Sequence, residues 1–343
     1  MEVFLELASF ASKTAVILIA VLIAVGFTFF ITTRVRQRPP LEIEKLNQRF
    51  KGYRRAMFSA LLPRRDFRAL VRDEKRAERA EQNAANDADK KKPRVFVLDF
   101  NGDIRASAVD NLREEITTVL SVAEEGDEVL VRLESGGGIV TSYGLAASQL
   151  LRLRERGLML TIAVDKVAAS GGYMMACVAN RLLAAPFAIV GSIGVVAQVP
   201  NFHRLLEKYD VDYKEITAGE FKRTVSTLGE ITPAGMEKFK SQIEDTHGLF
   251  KTFVIQHRPS VDVAKVATGE YWYGTQAIAL NLVDELTTSD DYLFKKYGAA
   301  DVFRVRYNGR KKLSERISES IGSGVLYVAR KVWTDLNQAR FGA

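Results

Sequence analysis

Twice in this chain a short aliphatic run ends in a glycine-rich turn and passes into a helical pattern, and this limits the fold more than any other feature. Glu128 to Leu133 leads into the turn ESGGG at 134–138, and a helical pattern follows through Leu145, Leu150 and Leu153, ending near Gly157. Leu158 to Val164 leads into AASGG at 168–172, followed by a helix of small residues over Tyr173–Ala179. Upstream, Val95 to Phe100 reads as a strand followed by the turn Asn101-Gly102, and Val109 to Ala123 has helical spacing at Leu112, Ile116, Val119 and Leu120. Strand, crossover helix, strand, repeated, predicts an α/β fold with a largely parallel sheet. Sites in such sheets lie beyond the carboxyl ends of strands. Both glycine turns fall there.

Thr14 to Thr33 is a second constraint: twenty residues without a charge, bounded by Lys13 and Arg34. A helix of that length spans about 30 Å, the thickness of the hydrocarbon core of a bilayer. Glu2 and Glu6 ahead of the run, its length and the lack of a small-x-small site before the basic stretch favour an uncleaved anchor over a signal peptide. The formal net charge of +7 is localised. Between Arg34 and Lys92 stand 18 Lys/Arg against 9 Asp/Glu, so the remainder of the 343 residues is slightly acidic. That distribution points to a membrane surface and not to a nucleic-acid partner. The positive-inside rule places the N-terminus outside and the main domain on the cytoplasmic side, although a long domain can also be translocated.

The expected organisation is an anchor over 1–33, a basic helical linker over 34–93, a catalytic domain over 94–310 and a C-terminal amphipathic helix over 311–343. Pro63 interrupts the helix-prone stretch 41–88, which reads as a solvated linker or, in part, as a segment that packs or lies on lipid headgroups. Leu182 to Pro200 also lacks charge, but Pro186, Gly191, Gly194 and Pro200 mark it as buried strands and turns. The single cysteine, Cys177, excludes an internal disulfide framework.

A serine at a strand-to-helix turn exposes its hydroxyl beside free backbone N–H groups, and flanking glycines let a substrate approach closely. Ser170, followed by Gly171 and Gly172, has that setting. Gly136, Gly137 and Gly138 offer consecutive N–H groups beside a second helix start, the construction of an oxyanion hole. The same turns could instead be tight connections, or could cradle a phosphate or a thioester carbonyl. His203, His247 and His257 read as surface or packing residues and form no metal-binding pattern, so no cofactor or metal is expected. A serine hydrolase without a histidine base can use lysine. Such a lysine must be neutral, which asks its pKa to fall about 3 units from about 10.4, roughly 4 kcal/mol, and burial supplies shifts of that size. Composition does not say which lysine is meant.

Here the residues carry a resemblance. Val167 to Tyr173 (VAASGGY) resembles the nucleophile motif of the signal peptide peptidase A family of bacterial serine peptidases. Residues 134–138 are similar to its oxyanion turn, Val190 to Val195 to a further signature, Gly219 to Arg223 to its lysine segment, and Tyr271 to Glu285 to its closing motif. The likeness runs from Arg94 to Tyr307 and is closest to the SohB branch of that family. It implies Ser170 as nucleophile and Lys222 as general base. Ser192 would orient the lysine amine, and Gly137, helped by the backbone at Gly171, would hold the oxyanion. It further implies a crotonase-like or Clp-protease-like α/β spiral, and homo-oligomeric rings in which one subunit's serine meets its neighbour's lysine. The turn departs from the family pattern, with Gly136 where proline is common and Glu134 where a small polar residue is common.

The expected activity is endoproteolytic acyl transfer on peptides at the membrane, such as remnant signal peptides, with Val140, Tyr143 and Met174 as apolar lining. Two other classes stand beside it. One is an acyl-CoA enzyme on the same spiral, which needs an oxyanion hole but no Ser-Lys pair. The other is a catalytically silent membrane scaffold.

Overall fold

The computed structural model describes residues 40–84 and 92–309, together with Leu18. Apart from Leu18, the uncharged run Thr14–Thr33 lies outside the described residues, as does the amphipathic helix expected over 311–343. Among the described residues no helix is long and apolar enough to cross a membrane.

The chain enters through strand β1 (Leu41–Lys45), helix α1 (Leu46–Leu61) and helix α2 (Arg64–Ala84), with the break between the helices at Pro63. There follow β2 (Arg94–Gly102), α3 (Val109–Val122), β3 (Glu128–Ser135), α4 (Val140–Glu155) and β4 (Met159–Val164). The second glycine turn joins β5 (Val167–Ala169) to α5 (Gly171–Ala176), and β6 (Arg181–Ala184) and β7 (Ile189–Gly191) come next. The remainder comprises α6 (His203–Lys208), α7 (Pro233–His257), α8 (Val263–Val266), β8 (Tyr271–Tyr273), α9 (Gly274–Ala277), β9 (Glu285–Leu286), α10 (Ser289–Lys296) and β10 (Asp301–Tyr307). The alternation anticipated from sequence is present. Boundaries of three elements shift: β2 continues through Asn101 and Gly102, β3 continues through Glu134 and Ser135, and the helix after Ser170 starts at Gly171 and stops at Ala176.

One sheet runs β1-β10-β2-β3-β4-β6-β9. The pairings from β10 to β9 are parallel. Strands β2 and β3 are buried along most of their length, which explains their nearly continuous apolar runs. On one face of the sheet Leu98, Phe100, Val131 and Leu133 are buried, as are Leu112 and Ile116 of α3 and Leu150 and Leu153 of α4, all at most 2% exposed.

The sheet forks at β3. Glu128 to Arg132 pair with Met159 to Ala163 of β4, whereas Ser135, at the end of the strand, pairs with Ala168 of β5. From β5 a second branch continues through β7, parallel, to β8, antiparallel. The fork sets the carboxyl ends of β3 and β5 side by side, so the two glycine turns leave the sheet next to each other. Leu182 to Pro200 contributes β6 and β7 to this framework, with most of their residues buried. The strands are core, as expected, whereas Pro186, Phe187 and residues 196–200 are exposed, which corrects the reading of the whole run as buried.

The first part of the stretch read as a linker is built into the sheet. β1 borders β10, and Leu46 is buried in a cluster with Val95, Leu130, Leu293 and Val302. Asn47, 7% exposed, donates to the carbonyls of Tyr297 and Ala300 and accepts from the Val302 N–H at 2.7 Å. Phe50 meets Phe294 and Tyr297 edge-on.

Candidate active site

Ser170 joins β5 to α5 with φ 52° and ψ −120°, a conformation that costs a non-glycine residue on the order of 1–3 kcal/mol. Neighbouring structure enforces it. The Ser170 N–H donates to the Gly191 carbonyl at 2.8 Å, and its own carbonyl accepts from the Met174 N–H at 3.0 Å. Behind the turn the Tyr173 hydroxyl, fully buried, donates to the Leu282 carbonyl at 2.9 Å. The serine is therefore presented, half-buried, from a backbone clamped on both sides. Gly171 needs its missing side chain: a Cβ there would lie 2.5 Å from the Tyr143 ring. A Cβ on Gly172 would meet the Ser135 carbonyl at the same distance.

The other turn is in backbone contact with this one. Gly137 has φ +88°, and a Cβ on it would come within 2.7 Å of the Ala169 carbonyl oxygen and the Gly171 nitrogen, and 2.8 Å of Ser170 Cβ. The fork thus brings Gly137 directly against Ser170 and Gly171, three of the five residues singled out from sequence. Gly138 abuts the Ile104 backbone, while Gly136 has open space around its Cα.

A polar chain that the sequence reading missed fixes this turn. The Tyr143 hydroxyl donates to the Asp103 carbonyl at 2.7 Å. A phenol has one proton, so the 2.5 Å contact between Tyr143 Oη and Ser135 Oγ runs from serine to tyrosine. Ser135 Oγ in turn accepts the Gly137 N–H at 3.0 Å. Every proton in the chain has one direction. Tyr143 is fully buried, and burial lifts its phenol above the usual range, keeping it a donor. The Gly137 N–H therefore points at Ser135 here, and the turn owes its shape to that bond. Glu134, the other departure from the family pattern, pairs with Lys166 at 3.0 Å, linking the end of β3 to the β4–β5 connection.

The expected apolar lining is corrected by burial. Of Val140, Tyr143 and Met174 only Val140 is open, at 43% exposure; Tyr143 and Met174 are core residues beneath the turns. The apolar surface beside the glycine turn instead includes Ile104 and Ile139, joined by the Ile139 N–H to the Ile104 carbonyl at 2.8 Å, and Val140.

Ser192 follows β7 with φ 51°; its N–H donates to the Glu270 carbonyl at 2.7 Å and its hydroxyl to the Gly269 carbonyl at 3.3 Å. The β5–β7 register pairs Ala169 with Gly191, so Ser170 and Ser192 each follow the last pair of the ladder, and the Ser170 N–H donates back to the Gly191 carbonyl. Lys222 is not brought into this group. It lies exposed in a turn with its N–H on the Gly219 carbonyl, and among the described residues no hydrogen bond joins it to Ser170 or Ser192. The burial that a lysine base requires is absent from the single chain. The histidines occupy other places. His203 on α6 lies 3.5 Å from Glu207, His247 lies on α7, and His257 meets the Phe253 ring edge-on, its pKa lowered by burial. Cys177 is buried, its thiol pushed up to about 12. No cluster of metal-binding side chains occurs among the described residues.

A forked parallel sheet that holds a strained serine against a glycine turn fits an acyl-transfer site, and sequence comparison supplies the family. Residues 2–150 match the family model described as peptidase family S49 N-terminal, and residues 152–302 match peptidase family S49. The chain belongs to peptidase family S49, a family of proteases, in the branch of the SohB proteins. It is 56% identical to a probable protease SohB of Haemophilus influenzae over 72% of this chain and 70% of that one. A probable protease SohB of Buchnera aphidicola from Schizaphis graminum is 38% identical over 97% of this chain and 98% of its own length. Among solved structures, a variant of the 1510-N membrane-bound stomatin-specific protease in complex with a substrate peptide aligns with a TM-score of 0.41 at 13% identity, covering 67% of this chain and 98% of that one.

Proposed function

We propose that this protease is a membrane-anchored serine endopeptidase whose nucleophile is Ser170. The observation that carries the reading is the backbone contact of Gly137 with Ser170 and Gly171 at the fork of the sheet. A carbonyl attacked by Ser170 Oγ develops its negative charge beside that contact, where the Gly171 N–H and the N–H groups of the glycine turn are the nearest fixed donors. Stabilisation by Gly137 needs its N–H to turn from Ser135 to the oxyanion, or to be shared with it.

Lys222 is the general base in this reading, with the Ser192 hydroxyl orienting its amine. The exposure of Lys222 in one chain favours a base supplied by a neighbouring copy. The segment that carries it, 196–230, exposes Val196 at 82%, Tyr209 at 68%, Ile216 at 96% and Phe221 at 48%. Exposed apolar residues on this scale mark an interaction surface. A second copy covering it would desolvate the lysine, which favours the neutral amine that catalysis needs. The uncharged run Thr14–Thr33 serves as the anchor, and the substrates are apolar peptides at the membrane. The apolar surface of Ile104, Ile139 and Val140 beside the turn suits such peptides.

The test is cleavage of apolar peptides by the detergent-solubilised full chain together with labelling by a serine-directed phosphonate. Ser170→Ala abolishes both while the oligomer stays intact. Unchanged cleavage by Ser170→Ala overturns the assignment, and the absence of cleavage and labelling in the unmodified chain favours a silent scaffold.

A further inference from the structure

Helix α1 carries one apolar stripe, Leu46, Phe50, Tyr53, Met57 and Leu61, at spacings of four, three, four and four residues. Helix geometry puts all five on one face. Its first half is covered: Leu46 is 5% exposed and Phe50 packs on Phe294 and Tyr297. The second half runs past the edge of the folded domain with the same face bare. Tyr53 is 56% exposed, Met57 62% and Leu61 68%. Arg54 and Arg55 both pair with Glu74, which folds α2 back along α1 and holds the pair as a hairpin.

The charge around this stripe is one-sided. Residues 46–72 contain eight Lys/Arg and a single acid, Asp66. Arg49 and Arg54 flank the stripe, and Arg64, Arg65, Arg68 and Arg72 are exposed on α2. A second copy seated face to face by two-fold symmetry would bring these cations against their own counterparts. An anionic lipid surface has the opposite charge and an apolar interior. Short amphipathic helices with this layout lie in the headgroup region. On the anchored reading proposed above, the twelve residues between Thr33 and Leu46 have a maximum reach of about 40 Å, short enough to keep α1 near the same bilayer.

We propose that the α1–α2 hairpin docks the folded domain onto anionic phospholipid: Tyr53, Met57 and Leu61 enter the headgroup–acyl boundary, and Arg64, Arg65 and Arg68 contact the phosphates. This contact is separate from the anchor and does not rest on the assignment of Ser170; either can fail alone.

The native Cys177 is buried, so a cysteine introduced on α1 can be spin-labelled selectively. Met57→Cys reports on the stripe and Ser59→Cys on the opposite, exposed face of the same turn. The full chain is reconstituted in bilayers of phosphatidylcholine with 30% phosphatidylglycerol, and relaxation by oxygen is compared with relaxation by an aqueous nickel chelate. Position 57 is expected to be oxygen-accessible and several-fold less nickel-accessible than position 59. That contrast falls several-fold in pure phosphatidylcholine, and also when Arg64→Gln, Arg65→Gln and Arg68→Gln are combined. Equal nickel access at 57 and 59 in the anionic bilayer overturns the proposal. So does dipolar broadening at 57 that disappears on dilution with unlabelled chain, because a second copy then covers the stripe. A contrast unaffected by the triple substitution overturns the phosphate contacts.

Discussion

Three glycines stand in a row in the turn after β3, and they are not equivalent. Gly136 has open space where a Cβ would go, so Gly136→Ala should change stability by no more than about 0.5 kcal/mol and leave turnover near normal. Gly137→Ala forces a side chain at φ +88° into the Ala169 carbonyl, the Gly171 nitrogen and Ser170 Cβ. It should cost about 1–3 kcal/mol in thermal unfolding and at least a hundredfold in labelling of Ser170 by a serine-directed probe. Equal labelling by the two variants would break the link between the turns. Tyr143→Phe keeps the ring against Gly171 but leaves the Asp103 carbonyl and Ser135 Oγ short of a partner. The expected loss is about 1–3 kcal/mol, with kcat changing more than KM because Ser135 Oγ, which accepts the Gly137 N–H, loses its fixed orientation. A purely structural tyrosine would lower the melting temperature and leave kcat alone.

At the scale of elements, α3 and β10 are joined by a titratable contact. Glu115 on α3 accepts the Tyr307 N–H through one oxygen, and its other oxygen is buried with no hydrogen-bond partner among the described residues. Burial is the main cause that lifts its pKa to about 7, with the nearby Asp99 adding to it. Between about pH 4.5 and 7 the folded chain keeps a proton that the unfolded chain has released. Stability therefore falls as pH rises through that interval, by roughly 3 kcal/mol in total, and levels off above it. Glu115→Gln retains the acceptor for Tyr307 and removes the ionisation. Its melting temperature should match the unmodified chain near pH 4.5 and exceed it at pH 8. Parallel pH curves for the two proteins would sink this assignment.

For the whole molecule, the proposed Ser-Lys site is complete only if Lys222 reaches Ser170, and in one chain Lys222 is exposed with no hydrogen bond to Ser170 among the described residues. Mixing separately inactive Ser170→Ala and Lys222→Ala proteins under subunit exchange tests where the base comes from. If neighbouring copies share the pair, mixed oligomers regain a substantial fraction of peptide cleavage, since a site can then hold Ser170 from one variant and Lys222 from the other. Failure to recover activity despite proven exchange places both residues within one chain. The exposed apolar residues of 196–230 would then need another partner.

Much of the architecture was legible in the sequence because its causes are local. Apolar periodicity marked β2, β3, β4, α3 and α4, and Pro63 marked the break between α1 and α2. The strand-to-helix turn at Ser170 and the consecutive glycines of the second turn were both legible as turns. What sequence could not contain is the fork at β3. Pairing of Ser135 with Ala168 is a non-local choice, and it alone brings Gly137 against Ser170. The same holds for the Tyr143–Ser135 chain, whose tyrosine read as pocket lining until the tertiary fold buried it, and for β1, which pairs with a strand more than 250 residues away. Local preference selects elements; contacts between distant segments, which no short window records, decide which of their residues meet.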